Sequence, residues 1–141
     1  GVFMARGRAQ LDSLAQKLKC TPHLFQRFVP ESAGRDARVI AVGGRVVAAM
    51  QRRSDSDFRS NIELGGRGAP LAADGRLKEL CEKVARHICP DYCGIDVLFG
   101  GDGYLVCEVN SNAFFGGIER VTGVNVAREY AQYMYEQVYG K

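Results

Sequence analysis

Residues 92–110 read YCGIDVLFGGDGYLVCEVN, and the chain continues through SNAFFGGIE to residue 119. Two apolar runs flank the turn residues GGDG, which predicts a β-hairpin. The second run looks like a core strand, yet Glu108 interrupts it and Asn110 follows two residues later. Side chains at i and i+2 of a strand share a face, so these two project together. A turn near Gly101-Asp102 sets Asp96 roughly across from Glu108. Two carboxylates on one face repel, and burying them unpaired costs several kcal/mol. Two readings remove that cost. A divalent cation can bind the oxygens of Asp96, Glu108 and Asn110, a donor set that suits Mg²⁺ or Mn²⁺ and through magnesium points to phosphates. Alternatively, both carboxylates form ion pairs with neighbouring arginines.

Working outward, DARVIAV, Gly43-Gly44 and RVVAAMQRR predict another hairpin over residues 36–53. Leu77, Leu80, Cys81, Val84, Ala85 and Ile88 recur at helical spacing and predict a long helix that stops at Pro90. A helix over residues 8–19 carries Leu11, Leu14, Ala15 and Leu18 on one face, and a last helix starts near Asn125 with Val126, Tyr130, Met134 and Val138 spaced four apart. VFMA (2–5) and HLFQRFV (23–29) are expected as strands, the latter closed by Pro30. Residues 54–70, rich in Ser, Asp and Gly, are expected as a loop. The pattern is α+β with a mostly antiparallel sheet.

Composition sets the boundaries. The chain has 141 residues, 46% hydrophobic and 25% charged, with a net charge of +3, which suits one domain and calls for no nucleic acid without a clustered basic patch. No apolar run is long enough to span a membrane. Five cysteines, an odd count placed at core-like positions, point to reduced thiols and a cytoplasmic protein. Cys89 and Cys93 beside His87 lack a fourth zinc ligand and are expected as buried structural thiols. His23 has no evident partner, and Tyr130, Tyr133 and Tyr135 are expected to pack rather than stack on bases. Phe114-Phe115 either line a substrate pocket beside Asn110 or pin the following turn into the core.

The stretch DFRSN (57–61), followed by GGRG, can wrap an anion with backbone N–H groups and a guanidinium. Arg52-Arg53 ends the strand before it, and Asp36 and Arg38 open the strand before that. Basic groups converging on two carboxylates are the pattern of a metal–polyphosphate site.

Three stretches, QRFVPESAGRDARVIAVGGRVVAAMQRRSDSDFRSNIELGG, GIDVLF and CEVNSNAFFGGIERVTGVNVA, closely resemble the C-terminal part of the ATP-grasp fold, most nearly its RimK-type glutamate ligases. The resemblance spans nearly the whole chain with its elements in order. It implies that Asp96, Glu108 and Asn110 bind magnesium (or manganese), with Glu108 bridging two ions. It implies that Arg59, Ser60 and Asn61 contact ATP, that Asp36 does likewise with Arg38 after it, and that Arg27-Phe28 form the hinge that meets the adenine. The sequence departs from the family at Arg27, where a glutamate is usual, and at NSNAFF, where many relatives read Asn-x-Ser-Pro. The family's earlier domain, its ATP-binding lysines and its glycine-rich phosphate loop would precede Gly1. Residues 1–141 are therefore expected to be the C-terminal part of an ATP-grasp domain.

The implied activity is an ATP-dependent carboxylate–amine ligase working through an acyl-phosphate, with Arg59 and Arg53 stabilising the transferring charge. The expected partners are ATP, a carboxylate and an amine from an amino acid, peptide or protein C-terminus. Acceptor and oligomeric state stay open. A nucleotide-binding module without chemistry and an ATP-grasp kinase are the alternatives.

Overall fold

Gly43 and Gly44 take φ of 54° and 75° and close a two-residue turn between β1 (Arg35–Val42) and β2 (Arg45–Arg53). Consecutive glycines stand there because the turn demands the left-handed region twice. A short strand, β3 (Arg67–Pro70), pairs with the end of β2. A second two-residue turn, Gly101-Asp102, joins β4 (Tyr92–Gly100) to β5 (Gly103–Asn110). In this computed structural model, which describes residues 1–61 and 65–140, the five strands form one antiparallel sheet in the order β3-β2-β1-β4-β5.

Helix α1 (Arg8–Leu18) precedes the sheet, and α2 (Gly75–Ile88) covers one of its faces. Asp74 starts α2 by accepting the Leu77 N–H at 2.8 Å, and Cys89 ends it in a left-handed cap at φ 54°. Leu77, Cys81 and Ala85 pack on Val39, Ala41, Ile95 and Val97, all fully buried. Full burial of the Leu, Val and Ile side chains among them contributes about 1.5–3 kcal/mol each. On the other face, α3 (Gly116–Thr122) and α4 (Val126–Tyr139) set Ile118 and Val126 against Ile40, Val42, Met50 and Tyr92. This second layer covers the sheet only in part. Asp36, Arg52 and Asp96 follow on the same face and are themselves buried, while β5 beside them has no buried residue.

Several expectations need correction. Residues 2–5 and 23–29 form no strand. Alternation alone does not make a strand; a hydrogen-bonded neighbour does, and neither stretch has one among the described residues. Leu24 and Phe25 accordingly stay exposed, and only Val29 of that run is buried. The α1 helix forms, but none of its apolar residues is buried. Along α4 the apolar spacing packs only at its start, and Met134 and Val138 are exposed. The 54–70 loop ends earlier than expected because Arg67–Pro70 pairs with β2; residues 62–64 of it lie outside the described residues. α3 was not visible in the sequence pattern. The thiols also divide: Cys81 and Cys93 are buried, whereas Cys20 and Cys89 are exposed, Cys89 because it caps a helix at the surface.

Burial pushes the Cys81 thiol up to about 12 and raises that of Cys93 as well. Native protein at neutral pH should therefore release the Cys20 and Cys89 signals first with a thiol reagent such as DTNB. Cys81 and Cys93 should react only on unfolding. Fast labelling of Cys81 in the native state would show that α2 does not pack on the sheet as described.

Candidate active site on the open half of the sheet

The register explains how the charged residues meet. Asp36 lies opposite Arg52 across β1 and β2, Arg38 opposite Asp96 across β1 and β4, and Asp96 opposite Glu108 across β4 and β5. Alternation puts all of them on the face that α3 and α4 leave partly open. The last pairing depends on a bulge. The Gly101-Asp102 turn by itself would set Cys107 opposite Asp96 and send Glu108 into the apolar layer beside Ile95. A register shift between Asp96 and Val97 absorbs Cys107 as an extra residue and brings Glu108 opposite Asp96 and Asn110 opposite Gly94.

Four of these side chains form one ion-pair ladder. Arg52 grips Asp36 with Nε–Oδ1 at 2.7 Å and Nη2–Oδ2 at 2.5 Å, and reaches Asp96 Oδ2 at 2.9 Å. Arg38 grips the same Asp96 through Nε–Oδ1 and through Nη2–Oδ2 at 2.8 Å. The Arg52 side chain is only 6% exposed. Burial opposes its charge, but the hydrogen bond to Asp36 and the charges of Asp96 and Asp36 outweigh that and raise its pKa above the ordinary arginine value. Asp96 thus takes the ion-pair reading of the sequence with two arginines at once.

Glu108 does not. Its side chain is exposed and makes no ion pair or hydrogen bond with the described residues. Asn110 Oδ1 accepts the Asn112 N–H at 2.8 Å, closing a local turn at the strand end. Asp96, Glu108 and Asn110 therefore share one face at adjacent positions, with Glu108 open to a ligand.

The DFRSN loop sits on its own anchors. Ser54 N–H bonds Gly34 O at 2.7 Å, and Gly34 N–H bonds Phe58 O at 2.9 Å, so both ends of residues 54–58 are tied to the start of β1. Asp57 accepts from the Arg59 backbone at 2.8 Å and from its guanidinium at 2.7 and 3.0 Å. These hydrogen bonds hold the Asp57 carboxyl down at about 2. Arg59 also lies over the Phe58 ring at 5.6 Å. Ser60 is buried and Asn61 exposed. An open cavity of about 680 Å³ lies beside this loop, lined by Phe28, Gly34, Asp57 and Phe58 among others. Phe28 meets Phe58 edge-on with ring centres 6.5 Å apart, so Phe28 and the DFRSN loop come together. Arg27 is exposed and does not line the cavity.

Two placements were not legible beforehand. Arg53 falls on the face opposite Asp96, exposed, with Asp55 at 3.1 Å; its neighbour Arg52 is the one that reaches the carboxylates. Alternation counted from the Gly43-Gly44 turn alone would set Arg53 on the Asp36 face; the register shift between Ile40 and Ala41, which leaves Val47 as the extra residue, puts Arg52 there instead. The two phenylalanines also part ways. Phe115 packs on Tyr92 at 6.0 Å and pins the turn, while Phe114 is 84% exposed.

Residues 1–134 match the family described as the RimK-like ATP-grasp domain. Human beta-citrylglutamate synthase B is 42% identical over 135 residues, which cover 94% of this chain and 35% of that protein. The ribosomal protein bS6–L-glutamate ligase of Escherichia fergusonii is 38% identical over 130 residues, 90% of this chain and 43% of that one. Among solved structures, the ATP-grasp ligase PsnB complexed with minimal precursor, Mg and ADP superposes with a TM-score of 0.58 at 27% identity, covering 73% of this chain and 33% of that chain. The chain thus spans about a third to two-fifths of the length of these relatives.

Two measurements test this geometry. A Cβ at Gly94 would sit 2.4 Å from the Ala113 Cβ and 3.5 Å from the Arg38 side chain. Gly94→Ala should therefore destabilise the protein by about 1–3 kcal/mol through overpacking, read as a lower Tm. The Asp57 carboxyl should titrate by NMR near pH 2 and return toward the ordinary 3.8 in Arg59→Ala. Because its pKa is depressed, whatever the pair adds to loop order is present above the ordinary value and lost as pH falls through about 2.

Proposed function

The chain belongs to the RimK-like ATP-grasp family, and we propose that residues 1–141 supply the C-terminal part of the ATP-grasp domain of an ATP- and magnesium-dependent carboxylate–amine ligase. The observation that carries this reading is the opposition of Asp96 and Glu108 on the open half of the sheet, flanked by Arg38 and Arg52. The donor set fits a hard dication: carboxylate and amide oxygens only, from adjacent strand positions, with Glu108 exposed and unpaired among the described residues. Asp96, Glu108 and Asn110 would hold the magnesium. When bound, it neutralises phosphate charge and orients the transferring group.

In the proposed reaction a substrate carboxylate attacks the γ-phosphorus of ATP and ADP leaves. An amine then adds to the carbonyl carbon of the acyl-phosphate, loses a proton, and expels inorganic phosphate to leave an amide. No protein nucleophile takes part. Phe28 meets the adenine from the hinge, with Arg27 beside it contributing backbone. Asp36 and Arg38 lie on the nucleotide side of the sheet, and Ser60 and Asn61 contact ATP from the loop. Arg59 stabilises the transferring charge, preset by Asp57 and Phe58. We assign this role to Arg59 and not to Arg53, which projects from the opposite face.

The two curated relatives named above both carry glutamate in their names, which supports glutamate as the amine. The free thiols suit a cytoplasmic enzyme. Among the described residues no helix is long and apolar enough to cross a membrane.

The test is the full-length enzyme with ATP, Mg²⁺, glutamate and a panel of carboxylates. ADP release with a new amide, identified by mass, supports the ligase; ADP release with a stable phosphorylated product would make it a kinase. Glu108→Ala should cost more activity than Asn110→Ala, since it would remove a charged ligand where the amide is a neutral one. Arg59→Ala should lower kcat by about 10²–10³-fold, as loss of an electrostatic donor does. Arg59→Lys should restore only part of that, lacking the planar fork. Near-normal turnover in Arg59→Ala would return Arg59 to the status of a solvated loop charge.

A further inference from the structure

Arg38 and Arg52 share Asp96 but are held very differently. Arg52 is buried and doubly bonded to Asp36, and its reach to Asp96 is a single contact. Arg38 has Asp96 as its only carboxylate partner among the described residues. Its side chain crosses Gly94, passing 3.5 Å from where a Cβ would stand. The register partner of Gly94 is Asn110, and that of Asp96 is Glu108. The Arg38 guanidinium therefore lies on the ground bounded by the same three oxygen donors that would hold a dication.

Charge balance separates the two arginines further. Asp36, Asp96 and Glu108 supply three negative charges on this face, against two positive charges from Arg38 and Arg52. A dication added to all five leaves an excess positive charge beside two guanidinia. With Arg38 withdrawn, the dication and Arg52 balance the three carboxylates. Arg52 cannot be the one to leave, because departure would strand Asp36 as a buried, unpaired carboxylate. Arg38 leaves Asp96 still paired.

We propose that Arg38 is an exchangeable counter-ion of Asp96: its guanidinium stands in for the dication and withdraws when one binds, becoming available to the nucleotide phosphates. The inference rests on the magnesium reading of Asp96, Glu108 and Asn110. It deepens that reading by coupling metal entry to the release of a phosphate-binding group. Arg52, anchored by Asp36, keeps Asp96 oriented throughout.

Arginine Nε–H NMR of the full-length protein during a Mg²⁺ titration tests the exchange directly, with Arg38→Lys and Arg52→Lys used to assign the two signals. The Arg38 signal should shift and gain solvent exchange as Mg²⁺ is added, while the Arg52 signal keeps its protection. Without nucleotide, Arg38→Gln should bind Mn²⁺ about tenfold tighter or more, measured by EPR of free Mn²⁺, because one charge-assisted competitor for Asp96 is gone. Arg38→Gln retains the Arg52–Asp96 pair, so the fold is kept. Selective Mn²⁺ broadening at residues 96 and 108 combined with an unmoved Arg38 signal would overturn the exchange and leave the metal reading intact. So would Mn²⁺ binding to Arg38→Gln that is no tighter than wild type. Absence of that broadening, or Mn²⁺ binding insensitive to Glu108→Gln, would remove the metal reading and the exchange with it.

Discussion

Arg52 is the residue on which the charged half of the molecule depends. It sits among β1, β2 and β4 with Asp36 and Asp96 on either side, and all three are buried. Removing one partner from such a set costs about 3–5 kcal/mol, since the others are left charged and dry. The ladder also constrains strand pairing. A one-residue slip of β2 against β1 would carry Arg52 to the other face and leave Asp36 alone, so the pairing penalises every register but one. Specificity of this kind does not require that the ion pairs add net stability. It requires only that the wrong registers be expensive.

The same sheet face serves two purposes because its layers end where the charges begin. Ile40, Val42, Ala48 and Met50 take the cover of α3 and α4; Arg38 stands two residues from Ile40, Asp36 two beyond it, and Arg52 two residues from Met50. A strand can carry both because its period is two and its neighbours change along its length. The apolar half holds the carboxylates at fixed spacing; the open half leaves Glu108 and Asn110 accessible. The Cys107 bulge is the local device that completes the arrangement. It re-aims Glu108 without altering the turn that begins the strand.

Much of this was legible from the residues. Gly43-Gly44 and GGDG specify hairpins through backbone freedom, and Leu77 to Ile88 specify a helix through spacing; these are local signals. Residues 2–5 and 23–29 form no strand because alternation describes a side-chain pattern, whereas a strand exists through its partner. β3 was hidden for the converse reason: RGAP has no strand pattern and is paired only because β2 offers it an edge. The carboxylate constellation was visible, but its partners were not. Choosing Arg52 over Arg53 requires knowing the register, and the register depends on a turn and on a bulge at Val47 opposite Ile40 and Ala41. Exposure of Phe114 beside buried Ala113 follows from the Tyr92 hydroxyl, which donates to Ala113 O at 2.6 Å and draws that residue inward.

The two sets of arginines illustrate how rigidity is distributed. Arg38 and Arg52 stand on strands, and their carboxylate partners are 58 and 16 residues away in sequence, so their geometry is set by the sheet. Arg59 stands on a loop, and its partner Asp57 is two residues away, so that pair travels with the loop. Asp57 fixes the direction of the Arg59 guanidinium relative to its own backbone, and the Gly34 hydrogen bonds tether the loop to the start of β1. A polyphosphate needs both kinds of contact. Its position must be referred to fixed carboxylates, while its charge must be followed as it moves between atoms. In the proposed function, Asp36, Arg52 and Asp96 would meet the first need, since the buried ladder holds all three in place. In the same proposal the loop-borne Arg59 guanidinium, already oriented by Asp57 and packed against Phe58, would meet the second at little reorganisation cost.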